Sequence, residues 1–187
     1  MLKIGIFAGT ALLKPMNYLF PISSERIDYL PLSKADTQSW VAFFENNPML
    51  PYVGISKPGH PQEEAVKWVD RQLNRYQENG WGYLKMVHKE TKEVVGHTGL
   101  LLRNIHGEEL LEIGYSIKPK YWRQGYGSEA AMTLKAYMIE HKVRNKAISI
   151  IHFDNIGSQK VAEKNGMTRG GEWEYMGMPV YIYETDL

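Results

Sequence analysis

The chain contains no cysteine. Disulfides, thiolate metal ligands and a cysteine nucleophile are therefore excluded, and a cytoplasmic location fits. It also carries almost no net charge, +1 at pH 7, so no broad basic surface for nucleic acid is expected. No apolar run approaches the ~20 residues of a membrane span, and no membrane association is expected. Internal repeats and low-complexity tracts are missing too. His60 and His88 have no partners at metal-ligand spacing, so no metal site is expected. What remains is an ordinary globular composition, with length enough for one domain and a sizeable core.

Met1 to Leu13 holds one early lysine and a short apolar run. It lacks a clear small-residue cleavage site before Lys14-Pro15 and does not read as a secretory signal. Met16 is an alternative start. Residues 1–22 are read as an N-terminal extension and 23–187 as the domain.

Along that domain, Ser33 and Asp36 have capping-box-like spacing, ahead of a helix with Trp40, Val41, Phe43 and Phe44 on its apolar side. Residues 49–59 read as a loop. Pro61, Glu63 and Glu64 suit the first turn of a second helix. Its stripe is Ala65, Val69, Leu73 and Tyr76, and Asn79-Gly80 stops it. Three strands follow, near 82–89, 94–102 and 110–118, joined by turns short enough for antiparallel hairpins. After Pro119 comes a glycine-rich turn and a helix to about Lys142, with Ala130, Leu134, Tyr137, Met138 and His141 as its buried stripe. A short apolar strand over 147–153, a helix over 156–164 and a terminal hairpin over 168–174 and 178–184 complete the order. The fold class is α/β of the α+β kind: one mixed, mostly antiparallel sheet flanked by helices.

The sharpest chemical feature is the run Arg123, Gln124, Gly125, Tyr126, Gly127, Ser128 between a strand and a helix. Close glycines let main chain approach a ligand. The first amides of a helix lack intrahelical partners, and with the macrodipole they attract phosphate oxygens. A Gly-x-Gly alone is also compatible with a tight turn that binds nothing. A dinucleotide site is a further alternative, since Gly125, Gly127 and Ala130 nearly fit its fingerprint and Asp154 follows the next strand. Against it, three hairpin-joined strands precede the motif, and the tail is too short for the rest of a doubly wound sheet. A P-loop is excluded by the missing Gly-Lys-Ser/Thr.

The segment from Glu112 through Gly114, Ser116, Trp122, Gly125 and Gly127 to Ala130 resembles the acetyl-CoA motif of the GCN5-related N-acetyltransferases. The branch containing the ribosomal-protein acetyltransferases RimJ and RimL is most similar. A second block, Asn155 to Met167, is similar to the family's "Asn-x-x-Ser … Glu-Lys-x-Gly-Phe", with Met167 in place of Phe. Val95 to Gly99 and Ser24-Glu25-Arg26 resemble residues at corresponding places in the branch. The likeness spans about residues 23–187. It implies a single domain of that fold with a splayed central strand pair, the strand ending near Ile117 and the one beginning near Ala147. Pantetheine would pair with main chain in the gap, at Ser116 and Ile117. The pyrophosphate would rest on the amides of Arg123, Gln124, Gly125, Tyr126, Gly127 and Ser128, with Asn155 and Ser158 nearby. Arg123 and Lys120 would add charge. Trp122 departs from the broader family, which has Arg or Gln at that position.

The implied reaction is direct acetyl transfer from acetyl-CoA to a primary amine, on a protein N-terminus or on a small molecule such as a polyamine or aminoglycoside. The amine must lose a proton, and Glu112 is the candidate base. A strand glutamate facing solvent opposite a lysine is the bland alternative for it. Ser158 is the candidate thiolate donor, because Ala162 stands where many relatives carry a tyrosine acid. Simple capping of the following helix is the alternative for Ser158. His97 reads as a packed histidine, His106 as a turn residue, and Tyr181 and Tyr183 as sheet packing. Met49, Leu50 and Tyr52 are candidates for an acceptor wall. A non-catalytic acyl-CoA sensor on the same fold is the competing function, and a homodimer is compatible with exposed strands.

Overall fold

The computed structural model describes residues 16–187, so the run Met1–Leu13 lies outside the described residues. One eight-stranded sheet organises the chain, in the order β1-β2-β3-β4-β5-β6-β8-β7. Its strands are β1 (Ile22–Ser23), β2 (Ile27–Pro31), β3 (Gly82–His88), β4 (Val94–Ile105), β5 (Glu108–Ile117), β6 (Lys146–His152), β7 (Thr168–Tyr175) and β8 (Met178–Asp186). Every neighbouring pair is antiparallel except β5–β6. The helices are α1 (Thr37–Phe44), α2 (Pro61–Asn79), α3 (Tyr126–Glu140) and α4 (Ile156–Lys164).

Strand alternation sends successive side chains to opposite faces. Leu84, Leu100, Leu111 and Ile113 share a core with Ala130, Leu134 and Met138 of α3. Tyr83 and Leu101, one residue out of phase, pack instead with Trp40, Phe43 and Trp68 of α1 and α2. Glu112 lies between Leu111 and Ile113, and so belongs to the α1/α2 face.

The helix ends follow local chemistry. Pro61 opens α2, whose first amides include Gln62 N donating to His60 Nδ1 at 3.4 Å. Gly80 closes it in the left-handed region at φ 77°, its N–H returning to Tyr76 O. Ser33 N and Oγ both reach Asp36 Oδ2 at 2.8 Å, but the turn they enclose is 3-10, and α1 starts at Thr37.

Several expectations are corrected. Two strands, β1 and β2, precede α1. They are too short for their alternation to stand out, although Ile27 and Tyr29 are fully buried. Residues 50–53 of the presumed loop form a 3-10 turn. α3 ends at Glu140, and His141 is exposed, its ring tilted against that of Tyr137 rather than entering the core. Residues 16–22, assigned to the extension, meet the core directly. Tyr18 is buried and its hydroxyl donates to Gly82 O at 2.8 Å.

His97 is packed as expected. Its ring stacks on Trp40 with centroids 3.6 Å apart, and Nδ1 accepts from Trp68 Nε1 at 3.1 Å. Burial drives it well below the usual 6.5, and the charges of Lys118 and Lys85 push the same way. The unfolded chain takes up a proton at this residue near pH 6.5 while the folded chain does not. Stability contributed by the neutral ring is therefore complete above that pH and declines as pH falls, by up to ~1.4 kcal/mol per pH unit for one proton. Thermal melts between pH 7.5 and 5 should show the fall, and His97→Gln should flatten that part of the slope.

Candidate active site

β5 and β6 pair only at Leu111–Ala147 and Glu112–Ile148. Beyond that point β5 runs on to Ile117 and β6 to His152 without pairing to each other, so the sheet opens between them. Main-chain groups alternate sides along a strand. Lys118 N donates to Val95 O, and Gly114 O accepts from Thr98 Oγ1, which turns positions 114, 116 and 118 toward β4. Ile113 O accepts Ser149 Oγ from β6 at 2.8 Å, which turns 113, 115 and 117 toward the opening. Ser116 thus directs its main chain at β4, whereas Ile117 directs its own into the gap. Tyr115 joins Ile117 there. The indole of Trp122 donates to Ile117 O at 2.7 Å, giving that variant residue a structural role.

The glycine-rich turn follows a 3-10 turn at Pro119–Tyr121. Arg123 and Gly125 both occupy the left-handed region, at φ 60° and 86°, and Gly125 is the residue for which that costs little. The first helical bond of α3 is Glu129 N to Gly125 O at 3.0 Å. The amides of Tyr126, Gly127 and Ser128 therefore precede the ladder and have no intrahelical acceptor. Gly127 is in the helix, with no positive φ. A Cβ there would meet Tyr115, Val161 and Ile117 at 3.6–3.9 Å, which is ordinary contact. Glycine is a poor helix former by ~1 kcal/mol relative to alanine, and no protein neighbour demands it at this position. The free amides of this helix mouth are donors of the kind that phosphate oxygens accept from.

Ser24 and Arg26, from the turn between β1 and β2, hold this loop. Ser24 Oγ and Arg26 N donate to Glu129 Oε1 at 2.7 and 2.9 Å, and the Arg26 guanidinium closes on Oε2 at 2.6 Å. Its Nη1 reaches Gln124 O at 3.1 Å, and its plane covers Tyr126 at 4.3 Å. Burial alone would raise the Glu129 carboxyl; the hydrogen bonds from Ser24 and Arg26 outweigh it and hold the group below the usual carboxylate value. Of the two cations expected at the phosphates, Arg123 is exposed on the loop, while Lys120 pairs with Glu93 at 3.0 Å.

Glu112, Asn155 and Ser158 line one cavity of about 120 Å³ with Tyr115 and Ser149 at the opening of the sheet. Glu112 is neither solvent-facing nor opposite a lysine. It is buried, and Oε2 accepts from Arg103 Nε at 2.5 Å. Arg103 is its diagonal neighbour on β4, two positions past the directly opposed Leu101. Arg103 Nη1 also donates to Tyr175 OH at 2.8 Å. Burial alone would lower Arg103, but Glu112 and Tyr175 more than reverse this and raise it. Oε1 of Glu112 has no hydrogen-bond partner among the described residues.

Asn155 is the cap of α4, its Oδ1 accepting from Ser158 N at 3.1 Å. Capping is thus done by the asparagine, and the Ser158 hydroxyl is not needed for it. Ser158 O accepts from Tyr115 OH at 3.0 Å, tying α4 across to β5, with burial raising the Tyr115 phenol well above its usual value. Tyr115, Arg103 and Arg75 were not anticipated at the site. Recognising them requires the strand register and the face of α2, which no local motif encodes. Among the proposed acceptor-wall residues, Tyr52 lines the cavity, Leu50 is buried in the core and Met49 is exposed. Tyr183 is buried and Tyr181 stacks on Phe153 at 4.2 Å, both as sheet packing.

Among the described residues no acidic, histidine or cysteine cluster is suited to a metal, and no helix is long and apolar enough to cross a membrane. Residues 26–168 match the family described as the acetyltransferase (GNAT) domain. The chain belongs to that family of acyltransferases. The uncharacterized protein YkkB of Bacillus subtilis is 27% identical over 172 residues, covering 90% of this chain and 97% of that protein. A GNAT-family acetyltransferase structure from Bacillus anthracis superposes with TM-score 0.72 at 22% identity, over 88% of this chain and 97% of that one. RimL, a ribosomal L7/L12 alpha-N-protein acetyltransferase solved with coenzyme A, gives TM-score 0.69 at 18% identity, over 88% and 96% of the two chains. At these identities the solved structures speak for the fold.

The two candidate roles of α4's first turn separate in a melting experiment. Asn155→Ala should cost about 1 kcal/mol through the lost cap, whereas Ser158→Ala should leave Tm within experimental error. Glu129→Ala strands the donors of Ser24 and Arg26 and should cost about 1–3 kcal/mol; circular dichroism melts check both.

Proposed function

We propose that the chain transfers the acetyl group of acetyl-CoA directly to a primary amine, on a protein N-terminus or on a small molecule. The observation that carries this reading is the pairing of two features at one opening: free main chain on β5, and a helix mouth whose Gly127 is explained by no protein contact. In the proposed binding mode the amides of Gly125 to Ser128 hold the pyrophosphate, with Arg123 beside it. The main chain of Tyr115 and the N–H of Ile117, whose carbonyl is held by Trp122, receive the pantetheine amides as an added strand would. The thioester then reaches the cavity holding Glu112 and Ser158.

There the amine nitrogen attacks the thioester carbonyl. A C–N bond forms, the C–S bond breaks, and no acyl-enzyme is needed. Glu112, steadied through Oε2 by Arg103, accepts the amine proton on Oε1, directly or through a water. Ser158 Oγ donates a hydrogen bond to the departing thiolate.

Turnover is tested by incubating the protein with acetyl-CoA and a panel of peptides and small amines, then weighing the products by mass spectrometry. Glu112→Gln should lower kcat by about 10²–10⁴-fold, and Ser158→Ala should lower it as well, with acetyl-CoA affinity retained in both. Unchanged turnover in Glu112→Gln contradicts its role as base. Tight acetyl-CoA binding without turnover on any amine contradicts transfer and favours a sensor.

A further inference from the structure

The cavity that holds Glu112 is unusually cationic. Among the described residues, three guanidiniums line it, those of Arg71, Arg75 and Arg103, against the single carboxylate of Glu112. Arg103 is already committed to that carboxylate and to Tyr175. Arg71 and Arg75 stand one helical turn apart on α2 (i, i+4), where like charges repel each other. Arg75 is half-buried, and its hydrogen bond is to a neutral group, Gln72 Oε1, at 2.9 Å. Gln72 is itself buried and also faces Tyr83 N, so it fixes where Arg75 points. No carboxylate forms an ion pair with Arg71 or Arg75 among the described residues. Burial pulls Arg75 below its usual value, with the nearby charge of Arg103 adding to the effect.

We infer that the acceptor amine carries an oxyanion, a carboxylate or a phosphate, and that Arg75, assisted by Arg71, binds it while the amine is presented to Glu112. This rests on the transfer reading above and names its substrate class. A half-buried guanidinium with no direct ion pair, feeling Glu112 only at longer range, gains when an anion joins it. Its planar donors match an oxyanion two bonds at a time. A cationic acceptor such as a polyamine or an aminoglycoside would meet repulsion from the same pair, so the polycationic acceptors compatible with the sequence are disfavoured. Seating an oxyanion on α2 also directs the free amine of a compact acceptor toward Glu112, the one carboxylate among the described lining residues.

Acceptors that carry anionic groups are set against counterparts that lack them. Glutamate and O-phosphoethanolamine are compared with glutamine α-amide and ethanolamine, and an acidic tripeptide with a lysine-containing one, each with saturating acetyl-CoA. An anionic member should win in kcat/KM by at least tenfold, and which arm wins separates carboxylate from phosphate. Arg75→Gln should raise KM for the anionic acceptor at least tenfold and take the preference toward one. Arg71→Gln should do so more weakly, and Arg75→Glu should turn the preference toward the cationic tripeptide. Acetyl-CoA affinity, measured in each variant, reports that the fold is intact. Equal or better turnover of neutral or cationic amines by the unmodified protein overturns this inference alone. A preference that survives both glutamine substitutions also overturns it. No turnover on any amine overturns the transfer reading and this inference together.

Discussion

The divergence of β5 from β6 after two residue pairs is the constraint from which the rest of the site follows. A sheet that stayed paired would satisfy its own main chain and leave no edge. Here the ladder stops at Glu112–Ile148; side chains of Ser149 and Trp122 cover the carbonyls of Ile113 and Ile117, and the main chain of Tyr115 between them is left open. Buried main-chain polar groups need partners, so an opening inside a sheet is a standing demand for something that can hydrogen-bond like a strand. The same event places Glu112. It is the last residue of β5 to pair with β6, on the α2 face, at the point where the cavity begins.

The opening is held in shape from both ends. On one side the Tyr115 phenol reaches Ser158 O and fixes α4 against β5. On the other, Trp122 covers Ile117 O and leads the chain into the left-handed residues that start α3. Glu129, in the first turn of that helix, gathers donors from Ser24 and Arg26, more than a hundred residues earlier in the chain. The two short strands at the start of the domain therefore matter less for the sheet they extend than for the clamp between them. An acidic side chain also complements the positive end of the helix. Because Glu129 is neutralised by Arg26, that complement does not cancel the attraction of the helix mouth for phosphate.

Much of this was legible from sequence because it is local. The bounds of α2 and α4 follow from Pro61, Asn79-Gly80, Asn155 and Asn165-Gly166, whose roles depend on neighbours in the chain. The three central strands and the glycine turn are local signals as well. What escaped is set by register. Glu112 could be named, but its partner Arg103 is fixed by a diagonal across β4, and a slip of one residue would have turned either side chain to the other face. Whether Ser116 or Tyr115 offers main chain to the gap is the same question of parity. Arg71 and Arg75 lie off the apolar stripe of α2, and only the position of that helix over the sheet brings them to the cavity.

The cationic cavity and the glycine cradle draw on one physical idea at two places. In each, the folded chain keeps a group that its own contacts do not explain: an unpaired guanidinium at Arg75, and a glycine in a helix at position 127. The central claim, that the sheet opening and helix mouth together bind the acetyl donor, is tested most directly by hydrogen–deuterium exchange with and without acetyl-CoA. The account predicts slowed exchange at the amides of Tyr115, Ile117 and residues 125–128, with β7 and β8 unchanged. Exchange unaltered at all of these amides under saturating acetyl-CoA would contradict it.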